Sequence, residues 1–176
     1  MSRLYGKIFQ LGYVVEDIEA AVDHWAGTLG VGPFFFYPTP INFISLKYYG
    51  KPVTEQVHMQ VAMGYSGDTQ IELIVCSKTA PSPYRDSLNR GGKGLQHFGF
   101  ITDNFDARVE AAVKRGMVPA LEGVLKGSRF CYLMDPKNPE DPMLELVDMQ
   151  PERFAMFDKF RQPSIGWDGK DPLRYL

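Results

Sequence analysis

The chain has 176 residues and a formal net charge of -2, which results from 19 basic and 21 acidic residues. This length allows one large domain or two small ones with a buried core, and the balanced charge excludes the basic surface typical of nucleic-acid-binding proteins. The two cysteines lack the spacing of a thiolate zinc site, the N-terminus lacks a signal-peptide pattern, and no apolar run is long enough to span a bilayer. We therefore expect a soluble cytoplasmic protein whose partners are small molecules, with no role for nucleic acid or a membrane.

Residues 1–76 predict a strand, a helix and then several strands. Residues 7–15 alternate in polarity as a strand does, and apolar residues at helical spacing follow from Ile18 to Leu29, where Gly30 ends the helix. An aromatic run with two prolines occupies residues 30–38 and indicates a short strand or a loop. Three β-rich stretches separated by turn residues follow at 42–49, 57–65 and 69–76. The pattern is that of a βαβββ module.

A proline- and serine-rich connector at residues 77–94 leads into a second copy of this pattern, residues 95–149. There a strand at 95–101 precedes an amphipathic helix that starts near Phe105 and ends at Gly116. Three more strands are predicted at 118–124, 128–135 and 142–149. The predicted fold class is therefore α+β, with two tandem βαβββ modules.

The tail, residues 150–176, lies outside the repeat. It predicts a short helix with Phe154, Phe157 and Phe160 at three-residue spacing. Aromatic side chains in such a segment are typical of cores and subunit contacts. We therefore assign the tail no chemistry and predict a homodimer.

The two modules share sequence as well as pattern. FQLGYVVEDIEAAV and QIELIV in the first correspond to QHFGFITDNFDARV and MLELVD in the second. In this alignment Gln10 falls on His97, and Glu72 falls on Glu145. Matching polar residues in apolar strands of two repeats predict one shared site with near two-fold symmetry. The alternative is that both glutamates lie on solvated strand faces, where most strand glutamates are found.

These four residues have the chemistry of metal ligands. Side chains two apart on a strand share a face, so all four can point into one cup. An amide, an imidazole and two carboxylates suit a divalent ion such as Zn, Ni, Co, Mn, Fe or Mg, and two buried carboxylates need such a cation. Glu145 and Glu72 are also candidate proton acceptors, and His58 is a third candidate general base if its strand face lines the cup. His24 is expected to be an exposed helix residue.

The paired modules, with the segments GYVVEDIEAAVDHWAGTLGVGPF, GKGLQHFGF and MLELVD, resemble the vicinal oxygen chelate superfamily, which includes glyoxalase I, methylmalonyl-CoA epimerase, bleomycin-resistance proteins and extradiol dioxygenases. The resemblance covers roughly residues 7–149 and implies a cupped mixed sheet with the metal at Gln10, Glu72, His97 and Glu145. It implies a metal-dependent lyase, isomerase or epimerase that abstracts a proton next to a carbonyl through a metal-stabilised enediolate.

The sequence departs from particular members of that superfamily. Where glyoxalase I has an arginine, an asparagine and an arginine, this chain has Val14, Cys76 and Lys93, so a glutathione-dependent reaction is not expected. Gln10 replaces the first histidine of methylmalonyl-CoA epimerase. A metal-free sequestering protein of the bleomycin-resistance type is the main alternative, and a ring-cleaving dioxygenase, which needs two histidines, is a further one.

The substrate class is predicted from the same site. Adjacent oxygens, as in a 2-oxo or 2-hydroxy carbonyl compound, would suit the metal. The density of aromatic residues at 34–36 and at Tyr48, Tyr49 and Tyr65 predicts an apolar wall beside it. We therefore expect a small molecule with adjacent oxygens on an apolar or aromatic body, or an acyl-CoA.

Overall fold

The computed structural model describes residues 1–77 and 79–176, so Lys78 of the predicted connector lies outside the described residues. The strands are β1 (Gln10–Val14), β2 (Phe34–Tyr37), β3 (Ser45–Tyr48), β4 (Lys51–Pro52), β5 (Met59–Ser66), β6 (Thr69–Cys76), β7 (Gly94–Ile101), β8 (Val118–Leu125), β9 (Ser128–Met134), β10 (Met143–Met149) and β11 (Leu173–Tyr175). The helices are α1 (Ile18–Gly27), α2 (Pro83–Asn89), α3 (Phe105–Lys114) and α4 (Pro151–Arg161).

In the described residues these strands form one mixed sheet in the order β11-β2-β5-β6-β1-β7-β10-β9-β8-β3-β4. The two modules meet at its centre, where β1 pairs antiparallel with β7. Each of these strands also pairs in parallel with the last strand of its own module, β1 with β6 and β7 with β10. The predicted α+β fold of two tandem βαβββ modules in a cupped mixed sheet is confirmed.

Each module buries its helix against the outer face of the sheet. The Asp17 side chain accepts a hydrogen bond from the backbone N–H of Ala20 and caps α1, whose Ile18 and Val22 pack against Phe34. In the second module Ala112 of α3 lies in a separate apolar cluster beneath β7, β9 and β10. The inner face of the sheet is therefore free to form the cup.

Two segments depart from a simple repeat. The strand predicted at residues 42–49 forms as β3, but it pairs with β8 of the second module, while β2 takes the place beside β5. The chain between β2 and β5 therefore crosses from one half of the sheet to the other. At the other edge, β11 of the tail pairs with β2, and α4 packs against β5.

Other expectations from the sequence concern cysteine and membranes. Cys76 and Cys131 are both buried and free, as their spacing predicted. Within residues 1–77 and 79–176, no helix combines the length and hydrophobicity that crossing a membrane requires. The cytoplasmic location stays a prediction.

Candidate metal centre

The register of the four central strands positions the candidate ligands. Gln10 lies opposite Gly99, and His97 lies opposite Gly12, across the β1–β7 junction. Glu72 on β6 is in register with Gly12, and Glu145 on β10 is in register with Gly99. Each module thus presents a donor on its first strand and a carboxylate on its last, around a pseudo-two-fold axis.

The four side chains converge within a single chain. Nε2 of His97 lies 3.2 Å from Oε1 of Gln10, 3.6 Å from Oε2 of Glu72 and 3.5 Å from Oε2 of Glu145. The His97 side chain is fully buried, and those of Glu72 and Glu145 are 12% and 8% exposed. The alternative in which both glutamates lie on solvated faces is therefore wrong.

A bulge in β7 fixes the orientation of His97. The β1–β7 register shifts between Gly12 and Tyr13, which leaves Gln96 as the extra residue. Oε1 of Gln96 lies 2.8 Å from Nδ1 of His97, closer than the 3.2 Å between Oε1 of Gln10 and Nε2, so we assign the single proton of the neutral ring to Nδ1, which donates it to Gln96. The lone pair of Nε2 therefore points at three oxygen acceptors, an arrangement that calls for a cation between them.

A second chain of hydrogen bonds fixes Gln10. Its Nε2 donates to Oε1 of Gln70 at 2.7 Å, and Nε2 of Gln70 donates to the hydroxyl of Tyr65 at 2.6 Å. All three residues are buried. Because the amide nitrogen of Gln10 is occupied, its carbonyl oxygen faces His97 as a ligand would.

Two glycines make room for the donors. A Cβ at Gly12 would lie 1.8 Å from Cε1 of His97, and a Cβ at Gly99 would lie 2.9 Å from Cβ of Gln10. No side chain can occupy Gly12 while the imidazole stays in place. The glycine two residues after the donor on the first strand of each module is therefore part of the site.

Burial sets the protonation of the site. It raises the pKa of Glu72 to about 7 and lowers the pKa of His97 to about 3. Burial, followed by repulsion from Glu72, raises the pKa of Glu145 well above its ordinary value, and a hydrogen bond from Tyr132 partly opposes that rise. Tyr132 in turn receives a hydrogen bond from Tyr84 at 2.9 Å. Two carboxylates this close are stable as anions only beside a positive charge.

The donor set fits a divalent ion. Oε2 of Glu145 is buried without a hydrogen-bond partner, and the facing atoms of Gln10 and His97 are acceptors as well. Among residues 1–77 and 79–176, no three His, Cys, Asp or Glu side chains are already grouped as a metal site. Coordination would therefore include the amide oxygen of Gln10 and small movements of the carboxylates.

Gln10, Glu72 and Glu145 of the cluster line a cavity of about 60 Å³. Four phenylalanines and two tyrosines line it: Phe9, Phe43, Phe130, Phe157, Tyr84 and Tyr132. The cavity thus has the predicted aromatic wall, but the aromatic residues that were expected to form this wall do not line the cavity. Phe34 is buried under α1, and Tyr48 hydrogen-bonds Asp86. The crossing segment and the tail supply wall residues that a repeat pattern does not reveal.

The two remaining histidines lie outside the cluster. His58 is exposed immediately before β5 and does not line the cavity, whereas its buried neighbour Met59 does. Its predicted role as a general base is therefore wrong on geometric grounds. His24 is exposed on α1, as expected.

Several residues of the site were not predicted from the sequence repeat. Gln70 shares the face of Glu72 two residues away, a spacing that could have marked it as a neighbour of Gln10. Gln96 becomes a partner of His97 only through the bulge. Arg153, on the tail helix, lines the cavity although the tail was assigned no chemistry. Tyr84, from the connector, reaches the site only through tertiary folding.

The family comparison agrees with this geometry. Residues 9–132 match the model of the Glyoxalase/Bleomycin resistance protein/Dioxygenase superfamily. The chain belongs to this superfamily. The matched region begins just before Gln10 and ends within β9. It therefore includes most of the strands that form the cup. No curated protein matches the sequence.

Solved structures show the same superfamily fold at low identity. Methylmalonyl-CoA epimerase from Mycobacterium tuberculosis has a TM-score of 0.57 and 18% identity, covering 88% of this chain and 95% of that one. A hypothetical protein from Bacillus halodurans has a TM-score of 0.54 and 17% identity, and the alignment covers 82% of this chain and 94% of that one. A Streptomyces coelicolor methylmalonyl-CoA epimerase variant in complex with 2-nitronate-propionyl-CoA has a TM-score of 0.51 and 19% sequence identity. That alignment covers 84% of this chain and 96% of the epimerase.

Proposed function

We propose that the chain is a divalent-metal-dependent lyase or isomerase of the glyoxalase and epimerase type, which removes a proton from a carbon next to a carbonyl group. The convergence of Gln10, Glu72, His97 and Glu145, with acceptor atoms facing one another in a buried cluster, carries this proposal. A bound divalent ion would act as a Lewis acid and stabilise negative charge on adjacent substrate oxygens.

The carboxylates supply the proton transfer. Oε2 of Glu145 has no hydrogen-bond partner, so it is available to accept a proton from the substrate. Glu72 approaches His97 from the other module, with its Oε2 3.6 Å from Nε2 of His97. One carboxylate can therefore remove a proton and the other can return it, which is the requirement of an isomerase or epimerase.

The geometry favours this proposal over the alternatives. A metal-free binding protein predicts donors that face apart, whereas these converge. A ring-cleaving dioxygenase needs two histidine ligands, and among the described residues His97 is the single histidine in the cluster. Val14 and Cys76 are buried in the core, and Lys93 pairs with Glu16, so none of the three offers a glutathione contact in the cavity.

The proposed substrate is a small molecule with adjacent oxygens on an apolar body, since the cavity walls are phenylalanines and methionines. An acyl-CoA is the second substrate class, because the Streptomyces epimerase variant of the same fold is in complex with 2-nitronate-propionyl-CoA. The homodimer expected from the sequence stays a prediction.

The test follows the shared proton-transfer step. Solvent-deuterium exchange is measured at the carbon next to the carbonyl for a panel of 2-oxo and 2-hydroxy carbonyl compounds and methylmalonyl-CoA. We expect metal-dependent exchange that falls about 100-fold or more in Glu145→Gln and is unchanged in Glu110→Gln, a surface variant on α3. Exchange that survives chelation, or that is equal in Glu145→Gln and the wild type, contradicts the proposal.

A further inference from the structure

Arg153 is a cation of the cavity that the proposed proton transfer does not use. It lies in the first turn of α4, and together with Phe157, one helical turn later, it lines the cavity that contains Glu72 and Glu145. Its guanidinium lies over the ring of Phe157, with 5.5 Å between its central carbon and the ring centroid. The side chain is therefore held along the wall, with its charged end inside the cup.

The guanidinium has no partner that explains its position. In the part of the chain that the structure describes, Arg153 forms no ion pair, and its Nε is buried without a hydrogen bond. Burial lowers the pKa of Arg153, while Tyr37 and Glu72 act in the opposite direction without contacting the guanidinium. The first turn of a helix is also the end where the helix dipole disfavours a cation. A half-buried guanidinium whose Nε is buried without any partner is unfavourable in a cavity, and a ligand anion would supply that missing partner.

Charge balance identifies the kind of anion. With the divalent ion of the proposed function, on which this step rests, the charges of Glu72 and Glu145 are neutralised. Arg153 then leaves the cavity with one positive charge. A monoanion restores neutrality, whereas a phosphate dianion does not. Guanidinium and carboxylate are planar groups that form paired hydrogen bonds, so a carboxylate is the best match.

The size of the cavity narrows the choice further. At about 60 Å³ it is far smaller than pockets that enclose drug-sized ligands. An acyl-CoA would have to leave most of its length outside, and only an acyl end that itself carries a carboxylate would offer Arg153 an anion. We propose that the substrate is a small 2-oxo or 2-hydroxy monocarboxylic acid whose carboxylate is bound by Arg153, which makes Arg153 a specificity-determining residue.

The experiment compares an acid with its uncharged analogue of the same shape. The probes are 2-oxobutanoate and 2-oxobutanamide, titrated calorimetrically into metal-loaded protein, with exchange at C3 measured in parallel. We expect the wild type to prefer the acid, and Arg153→Gln to weaken acid binding about 10- to 100-fold while amide binding is unchanged. Arg153→Lys, which keeps the charge without the paired geometry, should lie between them. Arg161→Gln, on the same helix but paired with Asp158, should behave as the wild type.

The controls separate a binding role from a structural one. The metal content and thermal unfolding of Arg153→Gln should equal those of the wild type. If Arg153 only offsets the charge of Glu72, the variant will change metal affinity, and acid and amide will weaken alike, which overturns the proposal. Equal affinity of the wild type for acid and amide, or no binding of the acid, also overturns it. Loss of exchange with intact discrimination between acid and amide would instead contradict the proposed function and leave the role of Arg153 supported.

Discussion

The two halves of the site share one backbone arrangement and differ in almost every side chain around it. In the first half, Gln10 donates a hydrogen bond to Gln70, which in turn donates one to the hydroxyl of Tyr65. In the second half, His97 is held by Gln96 across a bulge, and Glu145 contacts Tyr132. Duplication therefore accounts for the positions of the donors, while the residues that hydrogen-bond to the donors give each half a different chemical character.

The glycine positions give the largest expected difference between the halves. Gly12→Ala places a Cβ 1.8 Å from the ring of His97, whereas Gly99→Ala places one 2.9 Å from Cβ of Gln10. We expect Gly12→Ala to lower the free energy of unfolding by about 3 kcal/mol and Gly99→Ala by about 1 kcal/mol. Urea denaturation of the two variants measures this. An equal decrease in the free energy of unfolding for both variants would mean that the imidazole of His97 moves aside freely.

The residues behind the ligands give the next effect. Gln96→Leu removes the acceptor of the His97 Nδ1 proton, and Gln70→Leu removes the acceptor of the Gln10 amide. Because an imidazole nitrogen is a stronger ligand than a neutral amide oxygen, we expect Gln96→Leu to weaken divalent-metal binding about 10- to 100-fold, more than Gln70→Leu does. Competition with a fluorescent chelator gives both values. The reverse order would show that the first half dominates metal binding.

The pH dependence of the metal-free protein separates the two carboxylates. Burial and repulsion from Glu72 raise the pKa of Glu145 in the folded state well above its ordinary value, so at pH values between the unfolded and the folded pKa the folded state binds more protons. The free energy of unfolding should therefore fall with rising pH, by up to about 1.4 kcal/mol per pH unit, and it is compared between pH 7 and pH 8. His97, with a folded pKa of about 3, is neutral in both states over this range.

Denaturation of chelator-treated protein at the two pH values tests this. The slope should be smaller in Glu145→Gln than in the wild type, and the part that comes from Glu72, whose pKa is about 7, should fade as pH approaches 8. Added divalent metal should flatten the slope of the wild type. An identical slope in wild type and Glu145→Gln would place the titrating group elsewhere.

The repeat made the four donors and the α+β fold predictable, because strand alternation and two aligned copies carry local information. The pairing of β3 with β8 was not predictable, since it joins strands more than seventy residues apart with no local signal. Gln96 was hidden because a bulge changes which face a side chain occupies. Arg153 was not predicted because the tail has no counterpart in the repeat, so the alignment of the two modules carried no information on where its side chain lies.

The central claim is that the two halves together bind one divalent ion. Mass spectrometric metal analysis of protein purified without chelator tests it most directly, in the wild type, His97→Ala and Glu145→Ala, with His24→Ala as the surface control. We expect about one divalent ion per chain in the wild type and control, and loss of that ion in both site variants. Wild-type metal content in His97→Ala and Glu145→Ala would contradict it.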